Sequence, residues 1–125
     1  MMAGGTGITP MYQIVSAALA DAGDKTTWKL IFANQTEGDI LIRSELEALA
    51  AKHPDRFSLH YTLDRPPSKW AGSTGFITQD MIAEHLPTPG PDTLVVMCGP
   101  PPMIKFACKQ NLDALGYDKK MQLAF

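Results

Sequence analysis

Two stretches of the chain, Leu30-Ile31-Phe32-Ala33 and Leu94-Val95-Val96-Met97-Cys98, are apolar without a break. A strand with one wet face alternates apolar and polar residues, so unbroken runs of this length read as parallel strands covered on both faces. The second run turns through Gly99-Pro100-Pro101-Pro102 into Ile104, Ala107, Cys108, Leu112 and Leu115 at helical spacing, with Gly116 closing that helix. The chain opens on the same pattern. Gly4-Gly5-Thr6-Gly7-Ile8-Thr9-Pro10 leads into Met11, Ile14, Val15, Ala18, Leu19 and Ala22, an amphipathic helix. Thr9 is placed to cap it, Pro10 suits the first helical position because that N–H has no partner anyway, and Gly23 can end it.

Between these landmarks, Ser44 and Glu47 read as a capping box opening a helix through Leu46 and Leu49 towards His53-Pro54. Phe57 to Leu63 alternates, which predicts a strand near an edge of the sheet. A loop through Trp70, Gly72 and Gly75 leads to a short helix capped by Thr78 and stopped by Pro87, and Met121 to Phe125 alternates as a second edge strand. Helix and strand therefore alternate throughout. That order specifies an α/β fold: a Rossmann-like, doubly wound parallel sheet of order 3-2-1-4-5 with helices on both faces. The first strand, the middle one in this order, has only Met1, Met2 and Ala3 to form it and is expected to be largely truncated. A full central strand contributes several buried side chains at about 1.5–3 kcal/mol each, so its loss would leave a domain of marginal stability.

Composition narrows the class. At 125 residues and 45% hydrophobic content the chain fits one domain spanning 1–125. A net charge of -2 lacks the basic surface that nucleic acid requires. No apolar run approaches the roughly 20 residues of a membrane span, and there is no signal-peptide pattern at the N-terminus, so the sequence reads as soluble. Two cysteines, Cys98 and Cys108, are too few for a disulfide scaffold and suit a reducing compartment. His53, His60 and His85 have no metal-ligand spacing, so no metal site is expected, and no Ser/His/Asp or paired-carboxylate arrangement suggests hydrolysis.

Gly5-Thr6-Gly7-Ile8-Thr9-Pro10 reads GxGxxP rather than GxGxxG. Its two glycines permit a tight turn and close backbone approach to a pyrophosphate, the helix N-terminus favours an anion, and Thr6 and Thr9 add hydroxyl donors. A Walker-type phosphate loop is excluded, since no Gly-Lys-Ser/Thr follows. Any tight strand-to-helix turn can use the same residues, so the motif alone leaves nucleotide binding and plain turn chemistry both open. The segment Met97 to Met103 lies at the carboxyl end of an apolar strand, where open α/β sheets place ligands. Cys98 there is either a ligand contact or a small buried hydrophobe, whereas Cys108 on an apolar helix face is structural. Trp70 and Phe76 read as core, and His60 and His85 as ordinary strand or surface residues.

Taken together, the glycine turn, Phe32-Ala33-Asn34-Gln35-Thr36-Glu37-Gly38-Asp39-Ile40-Leu41, Tyr61-Thr62-Leu63-Asp64-Arg65-Pro66-Pro67 and Cys98-Gly99-Pro100-Pro101-Pro102-Met103 closely resemble the NADH-binding domain of the NADH-cytochrome b5 reductase family, in register from Met2 to Phe125. The resemblance implies an oxidoreductase in which this domain presents NADH to an FAD held by a second domain, with single electrons passing on to cytochrome b5. It implies that Gly5, Thr6, Gly7, Thr9 and Pro10 receive the pyrophosphate and guide the nicotinamide, with Thr6 nearest both cofactors. Thr6 and Cys98 would serve the hydride transfer by positioning, and Gln35, Asp39, Gly99, Pro100 and Met103 would complete the cofactor contacts, while Pro101 and Pro102 stiffen their loop.

Glu37 and Asp39 follow the second strand, where a carboxylate accepts from ribose hydroxyls and repels a 2'-phosphate. Asp39 resembles the residue that makes the family choose NADH, so Asp39→Thr is expected to improve NADPH use; a solvated acidic loop is the other reading, and Arg43 nearby is compatible with NADPH. No Arg-x-Tyr-Thr-x-x-Ser stretch of the flavin-holding type occurs in the chain. The resemblance therefore implies an N-terminally incomplete reductase whose FAD domain lies outside these residues, and a 125-residue chain without reductase activity by itself. It further implies a cytoplasmic location, the parent enzyme held at the cytosolic face of the endoplasmic reticulum or the mitochondrial outer membrane. The reductase module of a nitrate reductase, and a non-catalytic NAD(H)-binding fragment, are the competing readings.

Overall fold

The computed structural model describes residues 1–125. Six parallel strands form one sheet: β1 (Met2–Gly4), β2 (Trp28–Asn34), β3 (Phe57–Leu63), β4 (Ser73–Thr74), β5 (Val95–Cys98) and β6 (Gln122–Ala124), in the order β4-β3-β2-β1-β5-β6. Without β4 this is the expected 3-2-1-4-5 order. Two details are corrected. β3 is not an edge strand, because the two-residue β4 pairs with Thr62 and Leu63. The central strand is present: Met2, Ala3 and Gly4 pair with Ile31, Phe32 and Ala33 on one side, and Met2 and Ala3 with Met97 and Cys98 on the other.

The pleat of the sheet sorts the core into two layers. Ala3, Leu30, Phe32 and Val96 point to the face covered by α1 (Ile8–Ala20) and α2 (Arg43–Lys52), where they meet Met11, Val15, Leu19 and Leu46. Met2, Ile31, Val95 and Met97 point to the opposite face, covered by α3 (Gln79–His85) and by the helix after β5, against Met81, Ile82, Cys108 and Leu112. That last helix is π-helical over Met103–Lys109 and becomes α4 (Gln110–Ala114). Gly116 then reverses the chain at φ 88°, the left-handed conformation expected of a glycine that closes a helix.

Helix starts depart from the sequence reading in two places. A 3₁₀ turn, Gly5–Gly7, precedes α1, so Gly7 rather than Thr9 is its N-cap. Pro10 falls within the first turn, where its missing N–H still costs nothing. α2 is entered from Ile42 in the left-handed region at φ 46°, and no box forms between Ser44 and Glu47. Glu47 instead accepts from Arg43 Nε at 3.1 Å. A capping box does occur one loop earlier, between Thr36 and Asp39. The cap at Thr78 is as expected, its hydroxyl accepting from the Met81 N–H at 3.2 Å. His60 and His85, read as unrelated, stack with ring centroids 3.5 Å apart, and His60 Nε2 lies 2.7 Å from Ser73 Oγ. This stack holds α3 against β3. No helix is long and apolar enough to cross a membrane.

The α-amine of Met1 donates to the Lys29 carbonyl at 2.6 Å and is buried, which pushes its pKa down to about 5 from 8.0. His60 is also held below its ordinary value, by burial first and by His85 second. Both groups take up protons on unfolding in the window below their ordinary pKa values, so stability falls as pH drops. Chemical denaturation of the 125-residue chain is expected to lose stability between pH 8 and pH 5, by up to about 4 kcal/mol from the amine alone. A flat profile across that window would show that neither group is buried as described.

Candidate functional site

The parallel order brings the carboxyl ends of β1, β2, β3 and β5 to one edge of the sheet, and the turns that follow them meet there. The turns after β1 and β5 are in backbone contact. A Cβ on Gly7 would run into the Cys98 carbonyl, one on Gly99 would lie 3.2 Å from the Gly4 nitrogen, and one on Gly4 would lie 2.5 Å from Met103 Sδ. At Gly7 the clash is with backbone, so glycine is required there for closeness, whereas at Gly4 and Gly99 the tightest contact is with the flexible end of Met103. At Gly5 the reason differs: its φ is 53° and nothing stands within 4 Å of where a Cβ would be, so it supplies left-handed geometry and open space at the start of α1.

That open space belongs to a cavity of about 920 Å³ on this edge, at the upper end of the size range of ligand sites. Its floor is Gly4, Gly5 and Thr6 from the first turn and Ala33, Asn34 and Gln35 from the end of β2. One wall carries Gly38, Asp39, Leu41 and Asp64, and the other carries Pro100, Pro102, Met103, Phe106 and Ala107, with Phe76 and Ile77 closing the end. Of the residues picked from sequence, the structure brings Gly5, Thr6, Gln35, Asp39, Pro100 and Met103 together on this cavity. Gly7, Thr9, Pro10, Cys98 and Gly99 do not line it. Gly7 and Gly99 serve the turn-to-turn contact, Thr9 faces solvent in the first turn of α1, and Cys98 is half-buried at the end of β5.

Several further residues line the cavity. Phe76 was read as core but is 77% exposed; Gly75 at φ 88° turns the chain so that Ile77, 2% exposed, enters the core instead. Phe106 is 56% exposed on the wall that also carries Pro100, Pro102, Met103 and Ala107. Two large exposed aromatic rings on one cavity, Phe106 with the Lys105 ammonium 5.1 Å from its centroid, suit a flat ring. Asp64 directly follows β3, whereas Asp39 lies in the Glu37–Asp39 turn beyond β2, and a carboxylate in the loop after a strand was a usable signal for both. The two carboxylates are not equivalent. Asp39 Oδ2 accepts from the Thr36 N–H at 3.0 Å and the Thr36 hydroxyl at 2.8 Å, whereas no side-chain hydrogen bond occupies Asp64. Asn34 is buried, and its Nδ2 has no partner in the protein. A buried amide donor left unsatisfied at a cavity wall is costly unless a ligand completes it.

Arg43 does not reach the cavity. It pairs with Glu37 at 3.0 Å and Glu47 at 3.1 Å, and its guanidinium lies over Tyr61 and Trp70 at 5.4 and 5.9 Å. Both carboxylates, Glu37 first, raise its pKa, so it stays charged and engaged. Cys108 is fully buried with its thiol pushed up to about 12 by burial, which makes it unreactive. No three His, Cys, Asp or Glu side chains stand close enough to hold a metal ion.

A glycine turn at the N-terminus of a helix, next to the central strand of a doubly wound parallel sheet and facing carboxylates at the ends of the next two strands, defines a dinucleotide-binding domain. The family model of the oxidoreductase NAD-binding domain matches residues 1–109, and the chain belongs to that family. It is 58% identical to NADH-cytochrome b5 reductase 2 of Gallus gallus and to NADH-cytochrome b5 reductase 1 of Homo sapiens, in each case over 125 residues covering 100% of this chain and 41% of the relative. The resemblance read from the motifs is thereby borne out, and the chain spans about two-fifths of the length of these relatives. Among solved structures, the cytochrome b5 reductase domain of Ulva prolifera nitrate reductase superimposes with a TM-score of 0.97 at 53% identity, covering 100% of this chain and 47% of that one. The CS-b5R domains of human Ncb5or in an NAD+ form superimpose at 0.85 with 36% identity, over 99% of this chain and 35% of that one.

The turn-to-turn contact is open to direct test. Gly7→Ala forces a Cβ into the Cys98 carbonyl, which is backbone and cannot rotate away, and is expected to cost about 3 kcal/mol. Gly38→Ala meets nothing within 4 Å and should change stability by no more than about 0.5 kcal/mol. Equal thermal midpoints for the two variants would contradict the described packing.

Proposed function

We propose that this chain is the NADH-presenting domain of an FAD-dependent reductase of the NADH-cytochrome b5 reductase type. The observation that carries the reading is the cavity where the turns after β1 and β5 meet, with an anion-favouring helix start at one end and two carboxylates and two exposed aromatic rings towards the other. The residues present fit a dinucleotide. The pyrophosphate lies over Gly5 and Thr6, where backbone N–H groups at the start of α1 and the Thr6 hydroxyl donate to it, and Asn34 Nδ2 gains the acceptor it lacks. Asp64 and Asp39 accept from the ribose hydroxyls of the adenosine half, and its adenine lies between Phe76 and Phe106. The nicotinamide half extends towards Pro100 and Met103, which line the cavity beyond the end of β5, while Cys98 and Gly99 act from behind that lining by holding the turn in place.

Hydride transfer requires donor and acceptor atoms held about 3–3.5 Å apart in line, so positioning is this domain's contribution. When bound, the flavin supplies the conversion of a two-electron hydride into the single electrons that a b5-type haem protein accepts. Within this reading the FAD domain belongs to the same polypeptide outside residues 1–125, and Thr6 faces both cofactors. The near-superposition on the nitrate reductase domain favours a second reading, the reductase module of a nitrate reductase. The two readings share this site and differ in what accompanies it, so domains encoded beside residues 1–125 distinguish them.

NADH selectivity is where the site makes a sharp statement. Asp64, unengaged on the cavity wall, opposes a 2'-phosphate directly, whereas Asp39 is partly committed to Thr36. Titrations followed by nicotinamide fluorescence should show that Asp64→Asn shifts the ratio of NADPH to NADH affinity by about tenfold towards NADPH, roughly 1.4 kcal/mol. Asp39→Thr should shift it less and also lower stability by loss of the capping box, typically about 1 kcal/mol. Ratios unchanged in both variants would rule out these carboxylates as the selectivity determinants, and no NADH binding by the unmodified chain would rule out the reading.

A further inference from the structure

One side chain outside the cavity ties its two aromatic walls together. Asn111, half-buried on α4, donates through Nδ2 to the Ile77 carbonyl at 3.1 Å and to the Ala107 carbonyl at 2.7 Å. Both hydrogens of the amide are used. Ile77 belongs to the strap between β4 and α3 that carries Phe76, and Ala107 belongs to the π-helical turn that carries Phe106; all four residues line the cavity, and Asn111 does not. The strap is fixed to the sheet at Gly75, two residues before Ile77, where the Gly75 N–H donates to the Leu63 carbonyl at 2.9 Å and the Thr62 hydroxyl donates to the Gly75 carbonyl at 2.7 Å. At Ile77, no backbone N–H reaches the carbonyl.

We propose that Asn111 is a positioning residue for the adenine end of the cavity, holding the Phe76 strap at a fixed separation from the Phe106 turn. The contacts that otherwise join the two walls are apolar: Ile77, Ala107, Cys108 and Leu112 share one core layer. Apolar contact is non-directional, so it keeps the walls together without fixing how far one slides past the other. Two hydrogen bonds from one planar amide fix both distance and direction. A flat ring between Phe76 and Phe106 needs that spacing, because stacking weakens once the faces separate beyond contact. The π-helical turn fits this role, since such turns interrupt regular helix at functional sites and leave it less constrained by its own ladder.

The inference rests on the dinucleotide reading, and its test separates the two. Binding of adenosine 5'-monophosphate, nicotinamide mononucleotide and NAD+ to the 125-residue chain is measured by chemical-shift titration for the unmodified protein, Asn111→Ala and the near-isosteric Asn111→Asp, which lacks the donor. The dissociation constant for adenosine monophosphate should rise at least about fivefold in both variants, that for NAD+ should rise with it, and that for nicotinamide mononucleotide should not move. A purely structural role predicts a lower thermal midpoint with both mononucleotides affected equally or not at all, and either result overturns the proposal. Should Asn111→Ala fail to fold, Asn111→Asp and the side-chain amide resonances of Asn111 in the unmodified chain decide. Those resonances are expected to shift with adenosine monophosphate and not with nicotinamide mononucleotide, and the reverse overturns the proposal. If the unmodified chain binds neither adenosine monophosphate nor NAD+, the dinucleotide reading falls and this one with it; binding with unaltered variants removes only the role of Asn111.

Discussion

The backbone of Gly7 packs against the carbonyl of Cys98, and the sheet edge takes its shape from that approach. The turns after β1 and β5 meet because their strands are hydrogen-bonded neighbours at the centre of the sheet, and they meet closely because Gly7 presents no Cβ to the Cys98 carbonyl. Gly4 and Gly99 share the crossing, Gly5 and Thr6 of the turn before α1 open onto the cavity, and Met103 lines its facing wall. A side chain at Gly7 would push the two turns apart, and one at Gly5 would enter the space where a pyrophosphate has to lie.

The strand that holds this crossing in place is only three residues long, yet Met2 and Ala3 are fully buried and bonded on both sides. Met2 enters the layer beneath α3 and α4, and Ala3 enters the layer beneath α1 and α2, so a short strand joins both halves of the core. Burying a side chain the size of Met2 contributes about 1.5–3 kcal/mol, which is large beside the 5–15 kcal/mol that holds a typical domain. Polar groups are spent more sparingly. Arg43 is neutralised by Glu37 and Glu47 away from the cavity, and the carboxylates on the wall, Asp39 and Asp64, face no cationic side chain among the lining residues. An anion is therefore accommodated by the backbone of the turn that precedes α1.

The fold was legible because its strands announce themselves: unbroken apolar runs at β2 and β5, each feeding a turn and a helical period. β4 was not, since two residues carry no periodicity and pair only because the Trp70–Gly75 loop returns along β3. The start of α2 was missed for a different reason: Ile42 adopts a left-handed conformation that no local signal in a β-branched residue suggests. In the site, residues on the turns were readable from glycine, proline and acidic patterns. Phe76 and Phe106 were not, because an aromatic residue in sequence looks like core until its neighbours turn it outward. Asn34 ends an apolar strand and becomes informative only when its amide is seen to be buried and unpartnered. Asp64 could have been found by the rule that singled out Asp39.

The central claim is that the edge cavity holds NADH with its pyrophosphate on the first turn. The most direct measurement is a chemical-shift map of the isotope-labelled 125-residue chain titrated with NADH under anaerobic conditions. The account predicts the largest shifts at Gly5, Thr6, Gln35, Asp64, Phe76 and Met103, with saturation at a single stoichiometric site and little change around β6 or at Pro91–Leu94. Saturable shifts centred on β6 or on the solvent face of α2, with the Gly5–Thr6 amides unmoved, would contradict it.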